Sequence, residues 1–311
     1  MQDARSPRKT LLPKSHAAMA LVALVVANVA LAFGPLFVRV SDVGPVAAGF
    51  WRIALATPVL LLASVATGDR PFTASRGLWG VLALAGLAFA ADLASWHIGI
   101  GYTTLANSTL FGNSATLIFP IYGFVAARRW PTKVQGLALL FAAVGAGLLM
   151  GRSASLSREH LIGDLFCLLA GALYAVYFVL MARARERLAP IPALALSSLA
   201  SVPPLLLLAL GLGEQIWPGN WWPLLALAVV SQLIGQGCMI YALGHLTPLV
   251  VGIGLLIQPV VAAALGWIVF DEKLATGDAV GAVLVAVALV LVRGSNKPER
   301  LAPGAGEPKS L

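Results

Sequence analysis

Two ionisable side chains, Arg52 and Asp92, fall inside long apolar stretches of this chain. A charge at membrane depth is costly, so such residues mark either a functional site or a structural pairing. Arg52 stands about seven residues from one end of its stretch and Asp92 about five from the same end of the next, which puts both roughly 8–10 Å deep at a helical rise of about 1.5 Å per residue. Matched depth on neighbouring segments leads us to expect an ion pair. Three roles are open to it: a bridge clamping two helices, a clamp on a substrate carboxylate, or a proton-coupling pair.

The uncharged polar residues inside apolar stretches concentrate on a few segments. Asn107, Ser108, Asn113, Ser114 and Thr116 share one; Ser231, Gln232, Gln236 and Tyr241 share another. Gln232 and Gln236 are four apart and so lie on one helix face, as do Tyr174 and Tyr177, three apart. Taken singly, each such residue is interhelical glue. Together they suggest a central cavity with amide, hydroxyl and aromatic walls. The candidate substrate-binding residues are Asn28, Trp96, Asn107, Asn113, Tyr174, Tyr177, Gln232, Gln236, Tyr241 and Gln258. Gly34-Pro35, Pro120 and Pro259 are expected to kink their helices, each freeing a carbonyl and supplying a hinge. His97 is expected to be solvated at the end of its segment, and His245 to sit in a short turn.

Elements that hold these residues must be membrane helices. The chain is 59% hydrophobic and only 11% charged, whereas a soluble domain is about 25% charged. Ten apolar segments are expected at 17–38, 45–66, 77–97, 104–127, 134–150, 162–182, 191–212, 221–243, 247–270 and 276–292, most of them near the length that crosses a bilayer as a helix. Strands of a membrane barrel would alternate apolar and polar, which these segments do not. The fold class is therefore an all-α polytopic membrane protein.

The formal charge of +8 lies in tails and loops rather than on one face, so it is a topology signal and not a nucleic-acid surface. Arg70, Arg76, Arg128, Arg129, Lys133, Arg183, Arg185, Arg187 and the basic residues of both tails fall on one side; Arg39, Arg152, Arg158 and Lys273 fall on the other. Both termini are expected in the cytoplasm, with Trp217, Trp221 and Trp222 forming a belt at the outer interface. Basic residues before an apolar run ending Ala30-Leu31-Ala32 resemble a cleaved leader. The run continues to Val38, however, so a membrane span is expected instead. Cys167 and Cys238 read as small apolar-segment residues, with neither disulfide framework nor metal spacing.

One offset of 145 residues lays the second half over the first. Pro58 meets Pro203, Gly68 meets Gly213, Gly99 meets Gly244, Leu110 meets Leu255, Gly136 meets Gly281, Trp96 meets Tyr241 and Asn113 meets Gln258. Five segments per half is an odd number, so consecutive halves cross the membrane in opposite senses. The expected organisation is a tail over 1–16, a five-helix repeat over 17–151, an inverted five-helix repeat over 162–294 and a flexible tail over 295–311. Inverted repeats of this kind are typical of secondary transporters.

These features resemble the drug/metabolite transporter superfamily, in particular its ten-helix members built from two EamA-type repeats. The resemblance rests on Gly163-Asp164 through Leu173-Tyr174-Ala175-Val176-Tyr177-Phe178, on Gln258-Pro259, on Phe270-Asp271-Glu272-Lys273-Leu274 with Gly281, and on Trp51-Arg52. In the first half Ser114 stands where the proline would be and Ala127 where the turn glutamate would be, so Glu272 is read as a cap or topology residue. The resemblance implies export of small metabolites and is similar to exporters of amino acids, aromatic ones included.

Arg52 is the sole cation inside a segment, which disfavours strongly anionic substrates. Small neutral or zwitterionic metabolites, amino acids among them, are the expected cargo, with alternating access around the central cavity. Other metabolites or drugs are the alternative. An intramembrane enzyme would need clustered acids, nucleophiles or metal ligands, and the sequence has no HExxH, paired carboxylates or GxSxG. A channel would need ringed charges or carbonyls. With no GxxxxGK[ST] loop, ATP-driven pumping is not expected. The expected partners are a small-molecule substrate, the lipid bilayer and, as a candidate coupling ion, the proton. No nucleic acid, metal or cofactor is expected. Facilitated flow stays open beside proton coupling, and the oligomeric state is open, a monomer being sufficient for the fold. The expected location is a bacterial inner membrane.

Overall fold

The computed structural model describes residues 14–102, 105–150 and 158–270, with positions 280, 283, 284, 287, 288 and 291 beyond them. Every regular element among the described residues is helical. In chain order these are α1 (Lys14–Ala32), α2 (Gly34–Arg39), α3 (Pro45–Ala66), α4 (Pro71–Ala74), α5 (Trp79–Tyr102), α6 (Leu105–Gly112), α7 (Ala115–Ala127), α8 (Lys133–Met150), α9 (Arg158–Arg185), α10 (Pro190–Gly211), α11 (Trp222–Ala226), a π-helical stretch Leu227–Gln236, α12 (Gly237–Leu243), α13 (Pro248–Gly254) and α14 (Ile257–Phe270).

Among the described residues, seven stretches are long and apolar enough to cross a membrane: Ala17–Arg39, Pro45–Ala66, Trp79–Tyr102, Leu161–Arg185, Pro190–Gly211, Trp222–Leu243 and Pro248–Val269. α6 with α7 covers the expected fourth segment and α8 the fifth. Described positions between 280 and 291 are helical within the expected tenth. Glu272, Lys273, Asp278, Gly281 and most of both tails lie outside the described residues.

Helix ends follow from proline and glycine. α3 and α10 each carry proline at their first position, after an extended residue with ψ of 154° at Gly44 and 159° at Ala189. A first-turn amide has no intrahelical partner, so proline loses nothing there. Each ends beside a glycine of positive φ, Gly68 at 82° and Gly213 at 67°, a conformation that side chains with a Cβ resist. Both start and end of α10 fall 145 residues after those of α3.

The breaks inside the segments differ from expectation. α1 gives way to α2 at Phe33, with Gly34-Pro35 opening the new helix. The fourth segment breaks at Asn113 and Ser114, not at Pro120, which sits inside α7. The ninth breaks at Leu255 and Leu256, with Pro259 in the first turn of α14. α5 runs five residues past the expected end, to Tyr102. His97 is consequently buried rather than solvated, its Nδ1 2.7 Å from Pro45 O and its Nε2 without a partner.

One end of the bundle carries Arg70, Arg76, Arg128, Arg129 and Arg187; we refer to it as the basic end. The opposite end carries Trp217, Trp221 and Trp222. There Trp51 packs on Trp217 and Trp221, with centroids 5.4 and 4.9 Å away, and donates from Nε1 to Ile216 O at 2.7 Å. This is the tryptophan end.

Candidate functional site

The helix breaks bring polar groups to one place. A cavity of about 40 Å³ is lined by Arg52, Phe89, Asp92, Trp96, Asn113 and Tyr174, with Leu31, Leu93, Gly112 and Gln258 completing its wall. Asn113 stands at the break between α6 and α7, and Gln258 is the second residue of α14. Space of this size admits a water molecule or two and is far below the ~300–1,000 Å³ of a ligand pocket. The cavity is a contracted one.

Arg52 is buried on α3. Its Nε donates to Gln232 Oε1 at 3.2 Å, and its guanidinium carbon lies 5.8 Å from the Phe89 ring centroid. Gln232 in turn donates from Nε2 to Ser198 Oγ at 3.1 Å. This relay ties α3, the π-helical stretch and α10 together and fixes the direction of the cation. Asp92 faces the same cavity from α5. The two charges face the same cavity and act on each other electrostatically, while the guanidinium is hydrogen-bonded to Gln232 and lies against Phe89.

Other polar residues support the wall from behind. Gln258 Nε2 donates to Asn28 Oδ1 at 2.9 Å, and Asn28 Nδ2 donates to Leu24 O at 2.6 Å. Tyr174 OH donates to Gln236 Oε1 at 3.1 Å. Trp96 Nε1 donates to Ser108 O at 3.1 Å, tying α5 to α6. Tyr177, fully buried, stacks on Phe89 with centroids 4.5 Å apart. Of the ten candidates, Trp96, Asn113, Tyr174 and Gln258 line the cavity, while Asn28, Tyr177, Gln232 and Gln236 brace it. The side chain of Asn107 lies outside the described residues. Tyr241 is not brought there. It lines a separate crevice and packs on His245 at 4.4 Å.

Sequence reasoning missed Phe89, Leu31, Leu93 and Gly112, which offer no polar contrast within apolar helices. It also missed Glu214. Its carboxylate accepts from Val46 N at 3.2 Å and Ala47 N at 2.8 Å, capping α3 at the tryptophan end. Asp42 Oδ2 accepts from Gly219 N at 2.8 Å and Asn220 N at 3.0 Å, and Gly44 N donates to Gln215 O at 3.0 Å. Three cross-links between the two loops close this end.

The basic end is organised differently. A crevice of about 620 Å³ lies between the halves there, lined by Met19, Leu60, Asp69, Ile191, Cys238 and Tyr241 among others. Asp69 accepts from Thr67 Oγ1 at 3.1 Å and caps no helix. Farther round the bundle, α7 and α13 interlock closely: a Cβ added at Gly252 would lie 2.5 Å from Pro120 Cγ, and one at Gly123 2.8 Å from Pro248 Cβ.

Among the described residues, seven long apolar helical stretches around a buried polar cavity define a multi-pass membrane protein. Residues 161–294 match the EamA-like transporter family. An uncharacterized transporter from Archaeoglobus fulgidus is 25% identical over 286 residues, covering 89% of this chain and 96% of that protein. A solved crystal structure superposes with a TM-score of 0.72 at 16% identity, covering 89% of this chain and 96% of its own, a likeness of fold.

Proposed function

We propose that this protein is a secondary exporter of small neutral or zwitterionic metabolites, amino acids including aromatic ones, working by alternating access. The observation that carries this reading is the composition of the cavity wall: one cation, one carboxylate, two amides and three aromatic rings. A zwitterion matches it group by group. Arg52 would take the carboxylate, Asp92 the ammonium, Asn113 and Gln258 the remaining polar atoms, and Phe89, Trp96 and Tyr174 the side chain. Loading requires the cavity to widen, which a moving half of the bundle supplies.

Closure at the tryptophan end and the crevice at the basic end support the alternating-access reading. Asp69 and Glu214 are equivalent under the 145-residue offset, so exchanging their roles would exchange which end is closed. With the basic end in the cytoplasm, the present arrangement is the one that takes up cargo for export. The test is efflux of radiolabelled amino acids from liposomes containing the purified protein, with and without a proton gradient. Saturable efflux that is lost in Arg52→Gln supports the proposal. Folded protein that moves no amino acid overturns the substrate class, and gradient dependence decides the coupling ion.

A further inference from the structure

At the basic end the turn from α7 to α8 sets two adjacent arginines at the mouth of an apolar crevice. α7 stops on Arg128 in the left-handed conformation, φ 49°. The next two amides turn back onto the helix, Arg128 N to Val125 O and Arg129 N to Phe124 O, each at 3.1 Å. A crevice of about 480 Å³ opens beside this turn, walled by Ile121, Val125 and Leu139 and rimmed by Arg128, Arg129 and Trp130. Neither guanidinium is engaged by a described residue. Trp130 is 95% exposed, an arrangement that suits an indole at a membrane–water interface and not one in bulk water.

We propose that this crevice is a binding site for an anionic phospholipid. One acyl chain lies along Ile121, Val125 and Leu139, and the phosphodiester sits between Arg128 and Arg129 with Trp130 at headgroup level. Charge complementarity selects the ligand. Apolar walls alone would take any acyl chain, but two cations that no described residue engages favour a lipid with net negative charge. The opposite face of α7 carries Pro120 and Gly123, which interlock with Gly252 and Pro248 of α13. A lipid wedged behind α7 therefore presses on the contact that closes this part of the basic end. The site itself rests only on the membrane setting, while its effect on transport rests on the exporter reading.

Native mass spectrometry of the full chain tests the site without any transport assay. Phosphatidylglycerol and phosphatidylcholine of identical acyl composition are titrated against the detergent-purified protein. Retention of phosphatidylglycerol over phosphatidylcholine is expected. Replacing both cations, Arg128→Gln with Arg129→Gln, should weaken phosphatidylglycerol binding about 30-fold, at ~1 kcal/mol for each basic residue near the headgroups. Val125→Trp, with both arginines in place, should also expel the lipid by filling the crevice. Leu139→Trp serves if the first variant does not fold, folding being checked by thermal unfolding. Equal retention of the two lipids, or undiminished binding in the double arginine variant, overturns the proposal. So does displacement by inorganic phosphate, which would make this a site for a free anion.

Discussion

Asp69 and Glu214 stand 145 residues apart, each directly after a glycine of positive φ, yet only Glu214 caps a helix. Their local settings match closely. Asp69 N donates to Ser64 O and Glu214 N to Ala209 O, both at 3.1 Å. The difference lies in what each carboxylate reaches: Glu214 holds two amides of α3, and Asp69 looks onto a crevice whose far wall includes Pro190 and Ile191 of α10. On the alternating-access reading, Glu214→Ala should favour closure of the basic end, because losing a helix cap costs about 0.5–2 kcal/mol. Cys238 lines that crevice and is a native reporter. In a Cys167→Ser background its labelling by a polar thiol reagent should fall by up to about thirtyfold, 2 kcal/mol being worth roughly that factor. Unchanged labelling would remove Glu214 from the gate.

The two latches are not equivalent in strength, and one residue explains why. Val46 and Ala47 both donate to Glu214, and their counterparts at the 145-residue offset are Ile191 and Pro192. Proline has no amide hydrogen, so Asp69 could receive at most one of the two corresponding bonds. On the alternating-access reading, this biases the chain toward the arrangement in which Glu214 is engaged. Pro192→Ala restores the missing donor. It should shift the equilibrium toward closure of the basic end by about 1 kcal/mol, the net worth of a typical hydrogen bond, and lower Cys238 labelling accordingly. Labelling equal to that of the parent chain would show that the bias has another source.

Arg52 and Asp92 share a cavity, but the guanidinium's hydrogen bond goes to Gln232, and this weighs against recovery by charge exchange. A direct pair would let Arg52→Asp combined with Asp92→Arg recover what either change loses. Here the guanidinium is aimed by Gln232, whose π-helical stretch packs on α3, so an arginine placed on α5 would lose that acceptor. The double variant should therefore be no better folded than the worse single one, as judged by fluorescence size-exclusion profiles. Gln232→Leu should leave Arg52 in place but unaimed, raising the KM for a carboxylate-bearing substrate about tenfold, as expected when a hydrogen bond worth ~1.5 kcal/mol to a charged group is lost. Recovery in the exchanged variant would restore direct pairing.

Much of the cavity was legible because polarity stands out against apolar helices. Asn113, Gln258, Trp96 and Tyr174 were found in this way, as were the residues that brace them. Phe89 and Leu31 had no such contrast. Tyr241 shares a segment with Ser231, Gln232 and Gln236 and aligns with Trp96, but it lines a different space from Trp96. The π-helical stretch Leu227–Gln236 was equally hidden. Its wide turns are rare, recur at functional sites and depend on neighbours more than on local propensity. Helix limits were read well where proline and glycine mark them, at α3 and α10. They were read poorly at α5, where an apolar continuation carried the helix past His97 and buried it.

Asn28 and Gln258 form the bond that ties the first segment to the ninth, 2.9 Å from Nε2 to Oδ1 across 230 residues of sequence. Both side chains are buried, and Asn28 is additionally held by its own helix through Leu24 O. Asn28→Leu keeps the number and branching of the side-chain heavy atoms and removes the acceptor, leaving the Gln258 amide without that partner. Interhelical hydrogen bonds inside membranes are worth about 0.6 kcal/mol on average and up to about 1.7. The variant should lose that much stability, a small fall in Tm of the detergent-solubilised protein. Gln258→Leu should lose a similar amount, and the pair Asn28→Leu with Gln258→Leu should lose less than the sum, since the orphaned amide is gone. Strictly additive losses would mean that the two side chains are not coupled and that the ninth segment is positioned by packing alone.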